Sequence, residues 1–104
     1  MNQWRSPTAE ALYRNDPRLE VRSAGIRASA KRQISQRDVA WAEVIMVMER
    51  EHKKWIEDHF RGMLLPPIIN LDITASMEFM DANLQGLLRE AIDPELEALW
   101  PEAP

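Results

Sequence analysis

The chain has 104 residues, with 13 Lys and Arg against 17 Asp and Glu, a net charge of −4 and 45% apolar residues. That suffices for one compact core and not for two, and no apolar stretch reaches the roughly 18 residues that a membrane span requires. There is no Cys, which excludes a disulfide framework, a thiolate metal site and a cysteine nucleophile within these residues.

Ser6-Pro7 followed by Thr8-Ala9-Glu10-Ala11-Leu12-Tyr13-Arg14 predicts a helix: a polar cap, Pro at the first position, then good helix formers. Asn15-Asp16-Pro17 stops it. Leu19-Glu20-Val21-Arg22-Ser23-Ala24 alternates with period two and ends at Gly25, as a short strand and turn would. Ser35 with Asp38 three residues on has the form of a capping box, opening a short helix through Trp41-Ala42. Val44-Ile45-Met46-Val47-Met48 is an unbroken apolar run, short and partly β-branched, the pattern of a parallel strand buried on both faces. Glu49 to Phe60 reads as a charged helix that buries Trp55, Ile56 and Phe60 and ends at Gly62. After Pro66-Pro67, Ile68-Ile69-Asn70-Leu71 is a further strand, and Met77 to Ile92 a helix with Phe79, Leu84, Leu87, Leu88 and Ile92 inward. Residues 93–104 hold three of the seven prolines, which predicts a short helical turn and a loose tail. The domain therefore covers 1–92 and the tail 93–104. Strand and helix alternate, so the expected class is α/β with a parallel sheet. The first helix starts about five residues in, with no strand before it.

Charge is unevenly spread. Residues 1–37 carry eight basic and three acidic groups, residues 38–104 five and fourteen. A basic half attracts anions or nucleic acid, but no aromatic residues interleave the basic ones as a nucleic-acid platform requires, so nucleic acid is discounted. His52 and His59 stand seven apart on one predicted helix, two turns from each other and too far to share one metal ion. Met46, Met48, Met63, Met77 and Met80 read as core fillers, and Tyr13 as structural. The opening Met1-Asn2-Gln3-Trp4-Arg5 lacks the apolar run of a secretory signal, which favours the cytoplasm.

The most informative stretch is Asn2-Gln3-Trp4-Arg5-Ser6-Pro7-Thr8-Ala9-Glu10. Free N–H groups and the positive dipole end of a helix attract phosphate, and an Arg just before it adds two parallel charge-assisted hydrogen bonds. Asn-x-x-Arg-Ser-Pro-Thr-Ala-Glu resembles the second half of the phosphate loop of low-molecular-weight protein tyrosine phosphatases, Cys-x5-Arg-Ser-Pro and the first helix. The resemblance continues, in the family's order, through Ser23-Ala24-Gly25, Trp41-Ala42-Glu43 leading into Val44–Met48, Glu49-Arg50-Glu51-His52, Leu71-Asp72-Ile73 and Phe79-Met80-Asp81. It spans roughly residues 2–92 and closely resembles the short bacterial members.

That resemblance implies an α/β three-layer sandwich around a small parallel sheet and a hydrolase of phosphotyrosine, acting through a phosphocysteine intermediate without a cofactor. Asn2, Gln3, Trp4, Arg5 and Ser6 would form the phosphate-binding set. Arg5 would bind the phosphoryl oxygens and stabilise transition-state charge, Asn2 would shape the loop, and Ser6 would hydrogen-bond the nucleophile. Trp4 packs or flanks an aryl substrate. Asp72 falls where the family places its general acid, with Asp81 as rival, although the family's Asp-Pro is here Asp72-Ile73. Counting back six residues from Arg5 puts the nucleophilic Cys two residues before Met1, and with it goes the family's first, central strand. The expectation is therefore that Met1 is an internal methionine of a longer reading frame and that the 104 residues are inactive. The alternative is a pseudo-phosphatase that keeps a phosphate or oxyanion site; a related arsenate reductase needs cysteines and is excluded. Without a central strand, residues 20–24 would either pair with 44–48 or flank a gap that a second chain covers, favouring self-association. The partners expected are a phosphotyrosine protein or small aryl phosphate, with neither nucleic acid nor membrane.

Overall fold

The computed structural model describes residues 5–25, 32–73 and 78–101, with Arg5 and Ser6 described by their backbone alone. The elements run α1 (Arg5–Tyr13), α2 (Gln36–Trp41), β1 (Ile45–Val47), α3 (Arg50–His59), β2 (Ile68–Asn70) and α4 (Ala82–Leu99). β1 and β2 pair in parallel, with Ile45 opposite Ile68 and Val47 opposite Asn70. The result is a mixed α/β fold with a small two-stranded parallel sheet and four helices.

Alternation along β1 divides the core. Ile45 and Val47 face a cluster of Val39, Ile56 and Phe60, drawn from α2 and the α3 region, with Trp55, Met63 and Ile68 against it. Met46 and Met48 face the opposite cluster, in which Tyr13 of α1 meets Leu84, Leu88, Ile92 and Leu96 of α4, joined by Ile73 and flanked by Ala9, Leu12 and Leu71. This is the two-sided burial that an unbroken apolar strand predicts. Leu84 and Leu88 are fully enclosed, each contributing on the order of 1.5–3 kcal/mol of transfer free energy.

Local signals explain several boundaries. Ser35 and Asp38 form the reciprocal capping box: the Ser35 hydroxyl accepts from the Asp38 N–H, and the Asp38 carboxylate accepts from the Ser35 N–H at 2.9 Å. Burial alone would raise the Asp38 carboxyl, but the Ser35 N–H and hydroxyl and the Arg32 guanidinium outweigh it and hold it below its ordinary value. α3 stops at His59, with Phe60 as cap and no left-handed glycine at Gly62. Gly62 is therefore not the helix terminator that its position predicts.

Further expectations are corrected: Phe79 and Leu87, read as inward, are exposed. Residues 19–24 form no strand; the one bridge nearby joins Gly25 to Gln33, and among the described residues β1 pairs with β2 alone. The segment is held instead by side chains: the Ser23 hydroxyl donates to Glu10 at 2.6 Å, and Arg22 stacks 3.9 Å over Trp41. α4 also starts later and ends later than Met77 to Ile92. Asp81 caps it, accepting from the N–H groups of Asn83 at 2.8 Å and Leu84 at 3.3 Å, and a cap fixes where a helix begins. Its far end continues through Pro94 to Leu99. Proline deletes one backbone bond, but Ile92 and Leu96 on either side are both buried in the same cluster, and their burial keeps the last turn helical.

Candidate functional site

Brought together at one end of the sheet are the carboxyl ends of both strands and the segment that leads into α4. Asn2, Gln3 and Trp4 lie outside the described residues. Arg5 and Ser6 lie in the first described turn of α1, which carries no acidic residue of its own to offset the positive end of the helix dipole. Three residues on, Thr8 is fully buried, and its hydroxyl accepts the Met80 N–H at 3.0 Å. That bond joins the start of α1 to the turn before α4.

Asp72 stands just beyond β2, exposed and left-handed, with φ 57°. The ladder explains how it is presented. The Leu71 N–H donates to Val47 and the Ile73 N–H to Met48, both at 2.8 Å. Two residues advance on this strand while one advances on the other, a bulge-like slip with Asp72 as the extra residue. Such slips re-aim a side chain beside a site. The Asn70 side-chain oxygen accepts the Asp72 N–H at 2.9 Å, closing an Asx turn. Asp tolerates the left-handed region better than most residues, so the cost is modest.

The slip also accounts for Ile at 73. A proline there would lose the bond to Met48 and would push Asp72 into the extended region, which its observed conformation excludes. Asp81, the rival acid, is engaged as the α4 cap by two backbone donors. Met80 is the second left-handed non-glycine residue, with φ 59°. Its N–H is held by Thr8 and its carbonyl accepts from the Gln85 amide at 2.7 Å. Thr8, Asn70 and Gln85 were not evident as site-shaping residues from sequence. The Asn-x-Asp spacing carried a local signal for Asn70, whereas Thr8 is separated from its partner by 72 positions.

Elsewhere the titratable groups are structural. The Tyr13 hydroxyl donates to Asp93 at 2.5 Å, joining α1 to α4, with the Arg89 guanidinium 5.2 Å from the ring centre. Burial, then the bond to Asp93, pushes the Tyr13 phenol well above its ordinary range. Asp16 is drawn down to about 2 by side-chain and backbone hydrogen bonds from Arg18. His52 lies 3.9 Å from Glu49, and His59 stacks on Trp55 with centroids 3.9 Å apart, so the two histidines serve different neighbours. Among the described residues no group of three or more His, Asp or Glu could hold a metal ion, and no described helix is long and apolar enough to cross a membrane. No family model, curated protein or solved structure matches this chain.

Proposed function

We propose that this is a phosphatase-like domain of the low-molecular-weight protein tyrosine phosphatase type, an α/β three-layer sandwich that takes a phosphoryl or similar oxyanion group at the first turn of α1. The observation that carries the proposal is that Arg5-Ser6-Pro7 lies in α1, whose first described turn carries no acidic side chain. Backbone N–H groups there attract an anion, and a guanidinium adds forked hydrogen bonds that a point charge does not. Support also comes from the parallel sheet with helices against both faces, and from Asp72, exposed beyond β2 while Asp81 is engaged.

In a form that supplies a Cys six residues before Arg5, the thiolate attacks phosphorus and the bond to the phenolic oxygen breaks. Asp72 then protonates the departing phenolate, and water hydrolyses the phosphocysteine. The 104 residues contain no Cys. The second reading is a non-catalytic oxyanion-binding module whose partner is a phosphotyrosine protein or small aryl phosphate. The β1 edge turned away from β2, at Met46, is where a second copy would pair.

Calorimetric or NMR titration with inorganic phosphate tests this. Wild type should bind weakly and with salt sensitivity, Arg5→Lys less tightly, and Arg5→Ala about tenfold less tightly. Aryl phosphate turnover should stay at background. Equal phosphate binding by wild type and folded Arg5→Ala removes Arg5 from the site.

A further inference from the structure

Among the described residues, side-chain hydrogen bonds tie α1 to other elements at three levels: Thr8 to Met80, Glu10 to Ser23 and Tyr13 to Asp93. The second and third hold the middle and the carboxyl end. Among the described residues, Thr8 makes the tie nearest the amino end, three residues from Arg5. Apolar packing of Ala9, Leu12 and Tyr13 is non-directional, so it resists lifting the helix more than sliding or turning it. A hydrogen bond at a fully buried hydroxyl is directional, and leaving the Met80 N–H without it carries a desolvation penalty.

Its partner is equally constrained. Met80 is left-handed without being glycine, a conformation that persists where surroundings over-determine it. Here two side chains do so, Thr8 from α1 on the N–H and Gln85 from α4 on the carbonyl. The turn is thus a clasp between the first turns of two helices.

We infer that Thr8 is a positioning residue: through the Met80 clasp it fixes the amino end of α1 so that Arg5 and the first-turn N–H groups meet an anion in register. The inference rests on the proposed oxyanion site. Binding groups must be held within about 0.5 Å to act together, and this is the directional contact that sets the end of α1.

Amide-resolved NMR titration of the full chain with inorganic phosphate decides it. In wild type and Thr8→Ser, which keeps the hydroxyl, phosphate should bind alike, and the Met80 amide should shift with the same midpoint as the first turn of α1. Thr8→Val should keep a folded spectrum, bind about tenfold more weakly and leave the Met80 amide unmoved. Gln85→Ala frees the clasp from α4 without touching α1 and should weaken binding about threefold, which keeps the inference testable if Thr8→Val does not fold. Unaltered affinity in folded Thr8→Val or in Gln85→Ala overturns the role of Thr8 and leaves the anion site standing. No phosphate binding by wild type overturns the anion site and this inference together.

Discussion

Asp72 and Met80 bracket the segment between β2 and α4, and both are left-handed non-glycine residues whose N–H is taken by a side-chain oxygen. The two turns are otherwise unlike. At Asp72 the acceptor is Asn70, two residues back and exposed; at Met80 it is a buried threonine 72 positions away. The first turn is closed by local chemistry and presents its side chain to solvent. The second exists through tertiary contact and holds two helices together. A left-handed residue can therefore display a group or fasten a framework, and the burial of its hydrogen-bond partner separates the two roles.

The largest effect expected at either turn comes from Ile73→Pro. It removes the bond to Met48, forces Asp72 out of its conformation and replaces a buried side chain, so denaturant unfolding should report a loss of about 3 kcal/mol or more. A loss near zero would mean that the slip in the ladder relaxes freely. Asn70→Ala should cost about 1 kcal/mol and leave the spectrum of α1 unchanged, because the hook is local; shifts reaching α1 would erase the contrast between the turns. The smallest effect is a ranking. At both 72 and 80, the glycine variant should be more stable than the alanine variant by up to about 1 kcal/mol, since glycine alone adopts positive φ without steric cost. Alanine matching glycine at 80 would show that the clasp does not hold Met80 left-handed.

Where a boundary rests on neighbours in sequence, it could be read directly. The Ser35 and Asp38 box and the run at 44–48 are cases of that kind. Residues 19–24 show the limit: alternation tells which side chains face a core, and Val21 does pack against one, but a strand needs a neighbouring backbone. For α4, Asp81 carried a cap signal that Met77 and Phe79 obscured, and the prolines of 93–104 pointed to a short helical turn and a loose tail although Leu96 among them is buried. Of the proposed site, the sequence suggests Asp72 as the acid and Arg5 as the anion ligand. The slip that presents Asp72 and the Thr8 clasp depend on contacts between distant segments, which periodicity does not encode.

Pro94 gives α4 two parts of unequal tenacity. Between Ala82 and Asp93 the helix is capped by Asp81 and anchored by Leu84, Leu88 and Ile92, whereas the stretch beyond Pro94 has Leu96 as its one buried anchor. The amide protons of the final turn should therefore exchange with solvent by local fraying, ahead of the cooperative opening that exposes those of residues 84–92. The carboxyl end of α4 borrows its order from the core and should be the first part of the helix to give it back.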